Sequence, residues 1–238
     1  MTESPTFVLS AAPTVATRFH NFFEDGGARD LLEHPGELRY SGFDLTTGDR
    51  ARIVRGDSLE VGYSDWKLVQ LYEDGTLIAK VPGDEDFLAW ASTGNRPFWE
   101  HPKLNPLVIV EFVYSFVVLF GRLAPHLNPV PTKVRYRAEL RHLIDGTSRV
   151  YLTPYALDSV AWLHEQDKYP AQEPSMAREV ETDVALSTNQ PERMAYLIVE
   201  RIYTWFGASP DKIPYVLGTG NDRVIDVELV KIGGRKKP

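Results

Sequence analysis

The chain has 238 residues, of which 43% are hydrophobic and 25% charged, and its 33 acidic against 26 basic residues give a formal charge of −7. This composition is typical of a globular protein and excludes a disordered, collagen-like or low-complexity chain. The sequence contains no cysteine, which excludes thiol catalysis, iron–sulfur clusters and cysteine-ligated zinc. A cysteine-free chain is also compatible with the reducing cytoplasm.

The sequence predicts a cytoplasmic protein that does not cross a membrane. Its first residues lack the basic region of a secretory signal. The most apolar run, residues 107–120, contains Glu111 and is shorter than the roughly 20 apolar residues that a membrane-spanning helix needs. The acidic net charge repels phosphate backbones on average, so nucleic-acid binding would require a local basic patch.

Two parts of the chain are predicted from the pattern. Residues 1–36 are expected to form an N-terminal helical segment, because their apolar residues recur at helical spacing before a Gly-Gly pair. These residues are Val15, Phe19, Phe22 and Phe23. Residues 37–238 are expected to form a single α+β domain.

The stretch from residue 38 to residue 81 has the pattern of an antiparallel meander. Short apolar runs alternate there with Asp and Gly, as strands alternate with turns. The runs cover 38–45, 51–54, 59–63, 66–72 and 77–81. Asp74-Gly75 between the last two runs favours a tight type I′ turn, because Gly accepts a positive φ without strain. A short helix capped by Asp84 is predicted next.

A central buried helix is predicted to begin at Asn105-Pro106, with Asn as the N-cap and Pro at the first helical position. Apolar residues cover nearly the whole circumference of this helix, which is therefore expected to lie in the core. Glu111, Ser115 and Arg122 share one narrow polar stripe. A carboxylate at Glu111 needs a partner or a raised pKa, and a buried structural pair is favoured over a catalytic acid.

The second half of the chain is predicted to hold a hairpin, a strand, a long helix and a final strand. The hairpin turns at Asp145-Gly146 and joins residues 134–143 to residues 149–155. A further strand is expected at 179–185, a second long helix from Pro191 to Gly207, and a final strand at 223–232. This order of elements predicts an α+β fold, in which antiparallel hairpins pack with a central buried helix and a second long helix.

No complete catalytic motif occurs in the sequence. The six histidines have no ligand spacing, so neither a metal site nor a cofactor is expected. Gly218-Thr219-Gly220-Asn221 lacks a following lysine and is interpreted as a turn. Asp57, Asp65 and Lys67 together could hold Mg²⁺ and stabilise a phosphoryl transition state, although turn chemistry explains them better.

An enzyme therefore requires a site that only the fold assembles. The weak catalytic candidates are Asp57, Asp65, Lys67, Glu111, His142 and His164. If they converge, the chain would be a metal-dependent nuclease or nucleotide hydrolase. The lack of a motif favours a protein that is not an enzyme.

Two groups of residues are candidates for binding. Arg135, Arg137 and Arg141 share one face of a predicted strand, and we expect carboxylates to pair with them and to prevent nucleic-acid binding. Aromatic residues in a proline-containing stretch could anchor an interface, although packing under a loop is the favoured explanation. These aromatic residues are Trp90, Phe98 and Trp99.

Several short strings occur in a characteristic order along the chain. They are RYSGFDL at 39–45, LYEDGTL at 71–77, FLAW at 87–90, NPL at 105–107, YLTPY at 151–155, IYTWFG at 202–207 and KIPY at 212–215. In this order they resemble the region that follows the AlbA_2, Schlafen-type domain in many bacterial proteins. The resemblance implies an accessory module, and because the first 36 residues leave no room for an AlbA_2 domain, no catalytic residue is carried over.

The sequence thus favours a non-catalytic binding or regulatory accessory protein, within a bacterial stress or phage-defence system that the resemblance implies. We expect it to engage a protein partner, either a separately encoded subunit or another copy of itself, or a small ligand. The nuclease or nucleotide hydrolase remains the alternative.

Overall fold

A computed structural model describes residues 5–24, 26–36, 38, 44–46, 49–63, 67–82, 103–152 and 169–232. The strands are β1 (Thr6–Pro13), β2 (Arg18–Phe19), β3 (Arg52–Val54), β4 (Ser58–Gly62), β5 (Leu68–Tyr72), β6 (Leu77–Pro82), β7 (Lys103–Leu104), β8 (Leu127–Asn128), β9 (Lys133–Arg141), β10 (Ile144–Asp145), β11 (Ser148–Arg149), β12 (Tyr151–Leu152), β13 (Tyr169–Pro170), β14 (Met176–Asp183), β15 (Val216–Leu217) and β16 (Val224–Ile225). The α-helices are α1 (Gly26–Glu33), α2 (Pro106–Leu123), α3 (Val184–Asn189), α4 (Pro191–Trp205) and α5 (Val227–Lys231).

The protein has an α+β fold, as the sequence predicts. Its main feature is a seven-stranded sheet in the order β14-β9-β1-β6-β5-β4-β3, in which every neighbouring pair is antiparallel. The predicted meander is confirmed as β3 to β6. Most of the predicted strand at 38–45 and the helix after Asp84 lie outside the described residues.

The turn between β5 and β6 lies at Asp74-Gly75, but the predicted type I′ geometry is wrong. That geometry needs a positive φ at both central residues, and here only Gly75 has one, at +84°. The Gly75 N–H donates to the Tyr72 carbonyl, and the Tyr72 N–H donates to the Thr76 carbonyl. These bonds are those of a three-residue loop, in which the left-handed Gly follows a type I turn.

The helix predicted from Val15 to Phe23 is wrong, and α1 begins at Gly26, where that helix was expected to end. Residues 6–13 form β1, which lies between β6 and β9 in the same sheet as the later strands. Asn21, with φ of +52°, interrupts any helix around it. The helical spacing of the phenylalanines has a different cause, because Phe19 and Phe22 stack on each other in a compact turn with ring centroids 5.3 Å apart.

The central helix is confirmed as α2. The Asn105 side chain accepts hydrogen bonds from the N–H groups of Leu107 and Val108, at 3.0 and 3.5 Å, and so caps the first turn. Segment 106–126 is long and apolar enough to span a membrane, with mean hydropathy 2.0, but 78% of its most apolar window is buried within the protein. The helix is therefore part of the hydrophobic core.

The core helix lies between the sheet and α4. Phe112 contacts Phe7 of β1 edge to face at 5.0 Å, and Phe120 contacts Tyr136 of β9 at 5.6 Å. Gly121 allows α3 to approach closely, since a Cβ atom there would lie 2.8 Å from the Ser187 carbonyl oxygen. Every residue of α2 is buried except Tyr114, Val118 and Arg122.

Two predictions in the second half need correction. The turn at residues 145–146 joins only the short strands β10 and β11, because the edges of β9 are already paired with β1 and β14. The final strand is also wrong, because the chain leaves β16 and forms α5. Asp226 begins this helix, and its side chain accepts a hydrogen bond from the Leu229 N–H at 2.9 Å.

The other predictions for this half are confirmed. The strand expected at 179–185 is β14, which begins three residues earlier and ends at Asp183. The second long helix is α4, and Gly207 follows it with φ of +81°. The glycine-rich segment 218–221 is a turn between β15 and β16.

Candidate ligand-binding cleft

The three arginines of β9 point away from the helices and pair with carboxylates, as expected. Arg135 contacts Glu181 of β14 at 3.1 Å, and Arg137 contacts Glu179 at 3.2 Å. Arg141 donates two hydrogen bonds to Glu139, at 2.8 and 3.1 Å. We call these arginines and their carboxylate partners the arginine row.

The pKa of Glu139 shows how strongly the row is coupled. Hydrogen bonding from Arg141 lowers the pKa of this carboxyl, the charges of Arg141 and Arg137 lower it further, and partial burial opposes them. The arginine side chains remain 44–56% exposed, so each pair stabilises the fold by less than about 1 kcal/mol. The row is therefore a charge-compensated surface.

The sheet separates two of the catalytic candidates. Asp57 precedes β4, whereas Lys67 precedes β5, and the register of these strands places the two residues at opposite ends of the ladder. Six residue steps of about 3.3 Å put them roughly 20 Å apart. They cannot share one metal ion, because metal–oxygen bonds are only about 2.0–2.6 Å long.

Lys67 has a structural environment. The residue is 6% exposed, and its ammonium group donates to the backbone carbonyl of Asp44. Burial lowers the pKa of Lys67 to about 8, and the charge of Asp44 partly opposes this effect. The hydrogen bond ties the start of β5 to the segment near residue 44.

The remaining candidates are not gathered around Lys67. His142 follows β9, which three strand spacings of about 4.8 Å separate from β5, a distance of roughly 14 Å. Glu111 is fully buried in α2. Asp65 and His164 lie outside the described residues, as do Trp90, Phe98 and Trp99. Among the described residues, no three His, Asp or Glu side chains form a group that could hold a metal ion.

A cleft of about 300 Å³ lies where α2 and α5 meet Pro35, Gly36 and Leu38. Helix α2 lines it with Tyr114, Ser115, Val118 and Arg122. Three of these four are the residues of α2 that are not buried. The accessible stripe of the core helix therefore opens into this cleft.

Arg122 holds the wall that contains Pro35, Gly36 and Leu38. Its guanidinium donates to the Pro35 carbonyl at 2.9 Å. Gly36 follows with φ of +93°, a conformation that L side chains rarely adopt, and it turns the chain beside the guanidinium. A carbonyl carries no net charge, so the described contacts of Arg122 include no group that neutralises the cation.

The opposite wall is formed by α5, which contributes Val227 and Lys231. The Lys231 ammonium pairs with Glu228 one turn away, at 2.7 Å, but the Glu228 side chain is 82% exposed. Such an exposed pair is weak.

Tyr114 closes a third side of the cleft, and its hydroxyl donates to Glu192 of α4 at 3.4 Å. Burial, with the Glu192 charge, raises the pKa of Tyr114 to about 12, so the phenol stays neutral.

Ser115 is the polar group that the fold leaves unused in the cleft. Only 8% of its surface is exposed, and within the described part of the chain its hydroxyl makes no hydrogen bond. The Ser115 oxygen is not fully enclosed by the protein, so a water or a ligand can bond to it. The cleft thus combines apolar walls, two cations and a free hydroxyl.

A second hollow, of about 450 Å³, lies beside β2 and the turn that follows it. This hollow is larger, but it is a weaker candidate for binding a charged ligand, because Arg18 in its lining already pairs with Glu73 at 2.7 Å. The stacked phenylalanines at its base contact each other. We therefore regard the cleft at α2 as the better candidate.

Sequence reasoning found the cleft only in part. The stripe of Ser115 and Arg122 is visible in the sequence, but the wall from α5 comes from residues that were predicted to form a strand. Comparison with protein-family models, with curated proteins and with solved structures finds no match for this chain. The resemblance to Schlafen-type proteins therefore stays a prediction.

Proposed function

We propose that this chain is a non-catalytic binding and regulatory protein, and that its small ligand binds in the cleft at α2. The observation that carries the proposal is the accessible stripe of α2. A helix that is otherwise enclosed by the core presents Tyr114, Val118 and Arg122 to one cleft, together with the free hydroxyl of Ser115. Such a combination of apolar walls with a few converging polar groups is characteristic of ligand sites.

The position of the cleft suits a regulatory role. A ligand would contact α2, α5 and the segment with Pro35, Gly36 and Leu38, which come from three distant parts of the sequence. Because it binds the folded arrangement of these elements, it stabilises them by mass action. Helix α2 packs on both α4 and the sheet, so a ligand in the cleft would also stabilise the packing of these elements against α2.

The biological setting of the proposal comes from the sequence resemblance. We propose that the protein acts in the cytoplasm beside a separately encoded partner, in a bacterial stress or phage-defence system. Ligand occupancy would then decide whether the partner is bound. The compensated arginine row and the scattered positions of Asp57, Lys67 and His142 support a binding protein rather than the nuclease alternative.

The test is to identify small molecules that remain bound to the protein purified from its own cells, by native mass spectrometry. Val118→Trp fills the cleft, and Val130→Trp is its matched control, because Val130 is 57% exposed on another loop. We expect a bound molecule in the wild type and in Val130→Trp, and its loss from Val118→Trp. Equal occupancy of all three proteins, or no bound molecule in the wild type, would contradict the proposal.

The regulatory part is tested with the same variants. A partner that co-purifies with the wild type and with Val130→Trp, but not with Val118→Trp, supports coupling between cleft and partner. A partner retained equally by all three shows that the cleft does not control association. Far-ultraviolet circular dichroism confirms that each variant is folded.

A further inference from the structure

We infer that the ligand of the α2 cleft carries an oxyanion, a carboxylate or a phosphate, on a small apolar body of about ten non-hydrogen atoms. This inference rests on the proposed function, since it names the chemical class of ligand for the same site. Three observations support it: the charges at the cleft, the free hydroxyl and the size of the apolar walls.

The charges at the cleft oppose the overall charge of the protein. The chain has an excess of acidic residues, with a formal charge of −7. In the described part of the cleft, however, the lining contains Arg122 and Lys231 and no carboxylate. Among the described residues, the carboxylates near the cleft are Glu192, behind the hydroxyl of Tyr114, and Glu228, on the exposed side of α5. Glu111 lies one turn before Ser115 on the same stripe of α2, but it is fully buried and does not line the cleft.

Arg122 is suited to bind an oxyanion. A guanidinium presents five N–H donors in a planar fork that matches carboxylate and phosphate oxygens. The structure uses one amino group of Arg122 to hold the Pro35 carbonyl, which fixes the orientation of the fork. Other N–H donors remain for a ligand, and the arginines of the arginine row differ because carboxylates occupy theirs.

Ser115 supplies the second polar contact. Ser115 follows Tyr114 directly and precedes Val118 by about one turn of α2, and its hydroxyl lines the cleft without a partner among the described residues. A hydroxyl can donate to an oxyanion, and the Ser115 hydroxyl lines the cleft. Lys231 on the opposite wall provides a second charge within the same cleft.

The remaining walls set the size and polarity of the rest of the ligand. Leu38, Val118 and Val227 are apolar, and the ring of Tyr114 adds a flat surface. A water molecule occupies about 30 Å³ in the liquid, so a volume of about 300 Å³ holds on the order of ten non-hydrogen atoms. A complete nucleoside triphosphate would extend beyond this cleft.

Benzoate, its neutral isostere benzamide, and phenyl phosphate are the probes for this inference. Their affinities are measured by isothermal titration calorimetry at constant ionic strength. We expect at least one of the two anions to bind about tenfold or more tightly than benzamide. The preference for benzoate or for phenyl phosphate distinguishes the two oxyanions.

Variants locate the anion within the cleft. Arg122→Gln and Ser115→Ala should each weaken binding of the preferred anion and leave that of benzamide nearly unchanged. Arg135→Gln, a change of the same type in the arginine row, is the control and should have no effect. Equal affinity for benzoate, phenyl phosphate and benzamide, or an anion preference that survives Arg122→Gln combined with Lys231→Gln, would overturn the inference.

The outcome separates this inference from the proposed function. If the molecule released from the native protein is neutral, and Val118→Trp abolishes its binding, the proposed function stands and the oxyanion is wrong. If Val118→Trp changes neither the released molecule nor the binding of any probe, the cleft is not the ligand site and both fail.

Discussion

Strand β9 presents side chains on both faces of the main sheet, and the side chains of the two faces are stabilised by different interactions. The inward residues are 0–2% exposed and pack against α2 and its neighbours: Val134, Tyr136, Ala138 and Leu140. The outward residues are the arginines of the arginine row, which remain 44–56% exposed and pair with glutamates of β9 and β14. Apolar packing stabilises the inward face, and ion pairs between arginines and glutamates neutralise the charges of the outward face.

The comparison shows that positive charge by itself does not mark a binding site. The arginine row is a conspicuous basic pattern in the sequence, yet in the structure its arginines form ion pairs with glutamates of the same sheet. The cations of the α2 cleft are less conspicuous, but Arg122 contacts only a backbone carbonyl and Ser115 has no partner in the described chain. The groups that the fold leaves unsatisfied are the better guide to function.

The largest effect is expected where α2 meets the inward face of β9. Phe116 is fully buried, and its ring contacts Tyr136 edge to face at 6.4 Å. Phe116→Ala should lower the free energy of unfolding by about 3–5 kcal/mol, because it leaves a cavity in the core. Urea denaturation measures the change, and Val118→Ala on the accessible stripe is the control with a smaller loss. A loss below about 1 kcal/mol for Phe116→Ala would show that α2 is not the core helix.

A smaller effect is expected from the polar contact that β9 makes on its inward face. The Tyr136 hydroxyl is buried and bonds to the Ser187 hydroxyl of α3 at 2.8 Å. Burial also raises the pKa of Tyr136, so the phenol stays neutral. Tyr136→Phe should cost about 1–2 kcal/mol, since it leaves Ser187 without this partner. In a double-mutant cycle, adding Ser187→Ala should restore part of the loss, whereas simple additivity would show that the two hydroxyls are not coupled.

The inward face was also the more predictable one. Helices α2 and α4 have long apolar patterns with local end signals at Asn105 and Gly207, so the sequence alone defines them. Strand β1 has an equally local signal, the buried alternation of Phe7, Leu9 and Ala11. The helical spacing of the phenylalanines that follow obscured it, because a compact turn produces the same spacing.

The cleft could not be predicted, because it depends on contacts between distant parts of the chain. Many tens of residues separate Pro35, Gly36 and Leu38 from the stripe on α2, and that stripe from α5, and no periodicity links the three parts. The wall at Val227 was missed for a local reason. Helix α5 is only five residues long, and so short a pattern cannot be told from a strand unless Asp226 is recognised as an N-cap.

On the outward face, stability should depend on pH through Glu139. The folded protein holds the pKa of this carboxyl below its ordinary value of 4.5, mainly through the hydrogen bond from Arg141. As the pH falls, the unfolded chain therefore takes up the proton at Glu139 before the folded protein does. The stabilisation is fully present above about pH 4.5, and it is lost as the pH falls to the lower pKa of the folded protein. Arg141→Gln should cost less than about 1 kcal/mol at neutral pH and almost nothing at about pH 2.

The control for this pH profile is Arg178→Gln. Arg178 is exposed on β14 and donates to the carbonyl of Ala177 instead of to a carboxylate. Its replacement should have an effect that does not change between neutral and acidic pH. If Arg141→Gln and Arg178→Gln give the same profile, the pair with Glu139 contributes nothing measurable to stability.

The smallest effect is expected for nucleic-acid binding by the arginine row. At physiological salt the wild type should show no measurable binding of single-stranded or double-stranded oligonucleotides in a fluorescence anisotropy titration, because glutamates already occupy the guanidinium groups. Tight, steeply salt-dependent binding that disappears in the triple variant Arg135→Gln, Arg137→Gln and Arg141→Gln would contradict this expectation, and it would revive the nuclease alternative.

A gain of binding provides the sharper test of charge compensation. Glu179→Gln combined with Glu181→Gln removes the β14 carboxylates that pair with Arg137 and Arg135. At low salt this variant should bind oligonucleotides more tightly than a variant with the same charge change elsewhere on the surface, Glu24→Gln with Asp30→Asn. Equal binding by the two variants would mean that net charge alone, and not the pairing of each arginine with its glutamate, keeps the row from binding anions.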